Sequence, residues 1–113
     1  MPCIQIRTNV ASYDADDLLL DVSAVASEVM GKPETYMMVT IDHSDMLMGG
    51  LPGPASFIVV RGIGGLSPEV NKKLSKTLCE LLNRELSIPC ARTYVVFDDV
   101  AASDWGTNGT TIG

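Results

Sequence analysis

The sequence predicts an α/β fold built from two β-α-β repeats, and three observations carry that prediction. A β-rich run opens each half of the chain, and an amphipathic stretch at helical spacing follows it. A proline then stands after each helix, ahead of a second β-rich run. Four strands and two helices in this order give a four-stranded sheet with both helices on one face, each crossover being right-handed by the general rule. A length of 113 residues suits one domain, residues 1–113, with room for a core but not for two.

The first strand is Cys3-Ile4-Gln5-Ile6-Arg7, whose alternation of apolar and polar residues suits a strand buried on one face. Ala15, Leu18, Leu19, Val22, Val25, Ala26 and Val29 then recur on one helical face. Asp14, Asp16 and Asp17 crowd the start of this helix, where the dipole favours negative charge. Gly31 stands at the place of a left-handed cap, and Pro33 prevents the helix from resuming. Thr35 to Asp42 reads as the second strand.

The second half repeats the pattern. Ser56 to Arg61 contains the run Phe57-Ile58-Val59-Val60, which reads as a strand buried on both faces. Ser67 can cap a helix whose first turn holds Pro68, and its stripe runs through Val70, Leu74, Leu78, Leu81 and Leu82 to Leu86. Pro89 matches Pro33, and Thr93 to Phe97 echoes Thr35 to Val39. Helices on one face leave the other face bare, and a bare apolar face predicts a symmetric homo-oligomer. Asn108-Gly109 reads as a turn in a short tail that could add an edge strand to a neighbour.

Composition excludes several function classes. A net charge of -6 argues against nucleic acid or an anionic membrane as the main partner, so an anionic ligand must be caught by local cations. Three cysteines without a C-x-x-C pair suggest neither a disulfide framework nor a zinc site. His43, the single histidine, sits between aspartates and serine in what reads as a solvated loop, so no metal is expected. There is no signal-peptide pattern and no bilayer-length apolar run, which makes the cytoplasm the default compartment.

Candidate chemistry begins at Pro2. Removal of Met1 would expose a secondary amine, and a buried amine near a cation has a lowered pKa, which makes it a usable base near neutrality. The alternative is an ordinary start to a strand. Lys32, at the end of the first helix, either complements the dipole or binds a carboxylate beside that amine. Gly62-Ile63-Gly64-Gly65 joins a strand to a helix, but Leu66 and Ser67 stand where a dinucleotide fingerprint has its third glycine. These glycines instead allow close backbone approach and present amides.

Taken in order, these residues make the chain similar to the macrophage migration inhibitory factor family, within the tautomerase superfamily. The resemblance rests on the Met1-Pro2 start, Thr8-Asn9-Val10, Gly31-Lys32-Pro33 with Tyr36, and Met46 to Gly50. It continues through Gly62-Ile63-Gly64, Ser75-Lys76 with Leu78-Cys79, Arg92 with Tyr94, and Trp105-Gly106 with Asn108. It implies the α+β tautomerase fold, with two β-α-β halves per chain and a homotrimer whose sheets line a central barrel. It also implies keto–enol tautomerisation of phenylpyruvate-like keto acids, without a cofactor. Pro2 would be the base, Lys32 and the Ile63 amide the carboxylate anchors, and Tyr94 a pocket residue supplied by a neighbouring subunit. Tyr36, Trp105 and Ile112 fall where the family has apolar pocket walls. The rival reading is a cytokine-like protein that binds a cell-surface receptor and is exported without a signal peptide. Three positions depart from the family: Val96 for an asparagine near the pocket tyrosine, Ala55 to Ile58 for a C-A-L-C motif, and Arg61 for a histidine.

Overall fold

A computed structural model describes all 113 residues. The elements run β1 (Pro2–Thr8), α1 (Ala15–Met30), β2 (Met38–His43), β3 (Ser56–Gly62), α2 (Pro68–Leu86), β4 (Thr93–Asp99), β5 (Gly106–Thr107) and β6 (Thr110–Thr111). The main sheet has the order β2-β1-β3-β4. β1 is parallel to β2 and β3 to β4, while β1 and β3 pair antiparallel at the centre. Each β-α-β unit is therefore one half of the sheet, and the central pair joins the halves.

Side-chain alternation decides which face of the sheet is covered. Ile4 and Ile6 of β1 and Ile58 and Val60 of β3 are buried against Leu18, Val22 and Ala26 of α1 and Leu74, Leu78 and Leu82 of α2. This aliphatic core contains no aromatic ring, in keeping with the sparse aromatics of the sequence. Both helices start at side-chain caps, Ser67 as predicted and Asp14 from within the predicted acidic start. Asp17 donates its amide to the Asp14 carboxylate at 3.1 Å, and Val70 donates to the Ser67 hydroxyl at 3.2 Å. Gly31 closes α1 with φ 65°, as expected of a left-handed cap.

Two expectations need correction. β2 starts at Met38, not Thr35, because Pro33 opens a 3₁₀ turn over Glu34–Tyr36. That turn commits the amides of Tyr36 and Met37 to the carbonyls of Pro33 and Glu34, at 3.2 and 2.9 Å, so neither can enter the ladder. An equivalent turn over Cys90–Arg92 precedes β4.

The second correction concerns the Phe57–Val60 run, which is buried on one face only. Its other side belongs to an open face made of three cross-strand rows: Met38-Cys3-Arg61-Asp98, Thr40-Gln5-Val59-Val96 and Asp42-Arg7-Phe57-Tyr94. These rows mix apolar and charged groups. Arg61 pairs with Asp98 at 3.5 Å and hydrogen-bonds Gln5. The tail carries the turn read at Asn108-Gly109, whose φ values of 51° and 78° close the hairpin β5–β6.

The two helix ends solve the same problem with different residues. α2 is closed by Ser87, which adopts φ 56° without being a glycine. Ser87→Gly should therefore stabilise the protein by up to about 1 kcal/mol, and Gly31→Ala should destabilise it by about 1 kcal/mol. A Cβ on Gly31 meets no atom within 4 Å, so its cost is backbone conformation alone. Urea midpoints at one fixed protein concentration, with unchanged slopes, check both; equal midpoints for all three chains would contradict the account.

Candidate functional site

One end of the sheet gathers the amino terminus, the end of α1 and the loop between β3 and α2. Pro2 is buried as the first residue of β1, the strand position where a missing N–H costs least, and it lies opposite Gly62. After α1 the chain turns sharply. Lys32 donates its amide to the Ser27 carbonyl at 3.2 Å, and the Ser27 hydroxyl donates back to the Lys32 carbonyl. The Lys32 side chain then lies across Gly65, where a Cβ would fall 2.7 Å from Cε and 3.6 Å from Nζ. Gly65 is thus the residue that makes room for the lysine.

The loop itself is held from the end of β4. Val100 donates its amide to the Gly62 carbonyl at 2.8 Å, and Gly64 donates to the Asp99 carboxylate at 3.2 Å. Between those two contacts the amide of Ile63 has no acceptor within the chain. A free amide, an ammonium and the chain's amino end therefore share one neighbourhood. Burial, first, and then the Lys32 ammonium hold the Met1 amine below the usual range for an amino terminus.

Tyr36 lies at this same end of the sheet. Tyr36 ends the 3₁₀ turn just before Met38, the partner of Cys3, and is 54% exposed. The tail, which leaves β4 beside Gly62, brings Ile112 back onto Trp105, to whose carbonyl it donates its amide at 3.0 Å. Tyr94 is elsewhere. It pairs with Phe57, whereas Pro2 pairs with Gly62, five residues further along β3, or roughly 16 Å at the ordinary strand rise. It is 64% exposed on the open face, opposite to the face on which Pro2 is buried. One chain does not bring these two residues together.

The cavities of the single chain tell the same story. The largest, about 400 Å³, lies between α1 and β2 against Leu19, Leu20, Met37 and Val39, with Asp16 as its only titratable group. An apolar groove of that kind offers little for proton transfer. A cavity of about 290 Å³ adjoins Tyr94, Phe57, Met48 and Arg92, and no cavity is lined by Pro2, Lys32 or Ile63. No cluster of three His, Cys, Asp or Glu side chains is placed to hold a metal ion. No helix is long and apolar enough to cross a membrane.

Two features of this region were not visible in the sequence. The Asp99 contact depends on the β3–β4 register, which spacing alone does not give. Arg92 was visible only as part of a pattern, and its work is structural. Its guanidinium donates to the carbonyls of Leu51 (3.0 Å), Gly53 (3.3 Å) and Pro54 (2.9 Å), while Asn9 holds Gly53 and Ala55. The loop so held presents Leu47 and Leu51 outward.

Comparison with known proteins adds a consistent finding. The family model described as macrophage migration inhibitory factor (MIF) matches residues 1–113. A macrophage migration inhibitory factor homolog of Trichinella spiralis is 36% identical, over 98% of this chain and 99% of its own length. The macrophage migration inhibitory factor of Xenopus laevis is 33% identical, over 98% of both chains. The crystal structure of a homologue from Prochlorococcus marinus superposes with a TM-score of 0.94 at 35% identity, covering 98% of this chain and 99% of its own.

The electrostatics of this corner can be tested directly. In chain that retains Met1, Lys32→Ala should raise the pKa of the terminal amine, because a neighbouring cation disfavours the protonated form and its removal relieves that. The amine should stay below the ordinary range, since burial, the larger cause, remains. Competitive acetylation of the amine across pH gives the midpoint. An unchanged or lower midpoint in the variant would exclude the lysine as a cause.

Proposed function

The chain belongs to the macrophage migration inhibitory factor family, and from that premise we propose that it is a keto–enol tautomerase acting on phenylpyruvate-like α-keto acids. Pro2, uncovered by removal of Met1, is the base. The observation that carries this reading is the amino end of β1 lying beside Lys32 and the unpaired Ile63 amide, with its amine already held low by burial. A proline amine at the next position lies one residue further into β1, on a residue whose ring is buried in the present chain.

The chemistry follows from those groups. The neutral amine of Pro2 takes a proton from the carbon next to the substrate carbonyl, and the electron pair moves onto the carbonyl oxygen. The same proton, or one exchanged with water, then returns to oxygen, so nothing is oxidised and no cofactor is consumed. Lys32 and the Ile63 amide grip the carboxylate and fix the reacting carbon against the base. Tyr36, Trp105 and Ile112 wall the pocket on the apolar side.

Tyr94 completes the pocket from a second copy in a homotrimer, because its own chain holds it at the far end and on the other face. The exposed Phe57, Tyr94 and Val96 on the open face support such an assembly. A second reading, a receptor-binding protein with weak tautomerase activity, is favoured by Val96. It is 47% exposed on the face of Tyr94 and offers no polar contact to a substrate.

A phenylpyruvate tautomerase assay across pH, on chain confirmed by mass to begin at Pro2, tests the proposal. kcat/KM should rise as pH passes through the amine pKa, below the usual range, and then level off, because only the neutral amine can accept the proton. Pro2→Gly keeps an amino terminus but changes its basicity and geometry, and should lose about 10²-fold or more. Equal rates in the two proteins would remove Pro2 from the mechanism. An inactive wild type would favour the binding role.

A further inference from the structure

The free amide of Ile63 is flanked by glycines that cannot fix it. Gly64 and Gly65 both adopt positive φ, 66° and 78°, a conformation in which glycine keeps wide freedom unless something outside the loop restrains it. Three contacts supply that restraint. The Val100 amide holds the Gly62 carbonyl, the Lys32 side chain covers Gly65, and the Asp99 carboxylate takes the Gly64 amide at 3.2 Å. Only the last is a side-chain contact next to Ile63 that a single substitution can remove without changing any residue of the loop.

We propose that Asp99 is a positioning residue that aims the Ile63 amide at the substrate carboxylate, an inference that rests on the tautomerase reading. By accepting from Gly64, Asp99 fixes the peptide plane that follows Ile63, while the Val100 bond fixes the Gly62 carbonyl on the plane that carries the Ile63 N–H. It also occupies the Gly64 donor, so that this amide does not compete with that of Ile63 for the ligand. A carboxylate has two oxygens, and this arrangement offers each a partner of different character.

The placement has a cost that gives the proposal its signature. Asp99 is itself an anion beside a donor meant for an anion, so it repels the ligand whose donor it aims. An asparagine keeps the accepting oxygen and removes the charge. Asp99→Asn should therefore bind a carboxylate at least as well as the wild type, whereas Asp99→Ala, which lets the loop move, should bind it about tenfold more weakly. A residue needed only to end β4 would show no such reversal between the two variants.

The experiment follows the Ile63 amide by nitrogen–proton NMR during titration with phenylacetate, a carboxylate that cannot be turned over. In parallel, kcat and KM are measured on phenylpyruvate and on its methyl ester. The expected result is a saturable Ile63 shift in wild type and Asp99→Asn, with a midpoint about tenfold higher in Asp99→Ala. KM for phenylpyruvate should rise by the same factor in Asp99→Ala, with kcat within about twofold and the ester unaffected.

Equal midpoints in all three proteins, or equal losses on acid and ester, would overturn the role. So would an Ile63 amide that ignores phenylacetate in the wild type. Absence of turnover, with the Ile63 response and its dependence on Asp99 intact, would retire the tautomerase reading and leave the positioning role standing. If Asp99→Ala loses a dispersed spectrum, Asp99→Glu, which displaces the acceptor by one methylene, carries the same expected weakening.

Discussion

The antiparallel pairing of β1 with β3 is the contact on which the rest of the molecule depends. Each β-α-β half has a parallel pair and a helix, and nothing in either half alone buries both. Pairing Pro2 with Gly62 and Thr8 with Ser56 turns the two pairs into one sheet and gives both helices a single floor of Ile4, Ile6, Ile58 and Val60. The same register assembles the candidate site. It brings the start of the chain against the loop that leaves β3, so the amino end, Lys32 and the Ile63 amide meet because the halves are joined in this register and no other.

Much of the fold was legible because its signals are local. Ser67 and Gly31 act within three or four residues of themselves, and their roles as caps follow from residue type and position, as does the acidic start at Asp14. The 3₁₀ turn before β2 was missed because Thr35 and Tyr36 are good strand formers. What keeps them out of the sheet is the hydrogen bonding that Pro33 initiates, not their propensity. Ser87 was missed for the opposite reason: it takes a conformation that its side chain disfavours, with Pro89 and the packed Ile88 fixing the chain beyond it.

The site was legible only in part, and the division is again physical. Pro2, Lys32 and Ile63 could be named from the sequence, and the structure brings them to one end of the sheet. Their distance from Tyr94 could not be read, because it depends on a register between strands more than thirty residues apart. The open face was misjudged through Phe57 to Val60, where a continuous apolar run concealed a strict alternation of environments. Its rows hold Arg7, Asp42, Arg61 and Asp98, so this face is adapted to a partly wet surrounding and not to a dry core.

The placement of Pro2 and Tyr94 at opposite ends and on opposite faces of one sheet has a genetic consequence. Any pocket that uses both must draw them from different copies, so damage to one and damage to the other fall on different sides of a shared boundary. An assembly of chains lacking Pro2 and chains lacking Tyr94 still contains some boundaries where an intact proline meets an intact tyrosine. On the proposed reading, two alleles damaged at Pro2 and at Tyr94 would therefore complement one another in a mixed cell, while two alleles damaged at Pro2 and Lys32 would not.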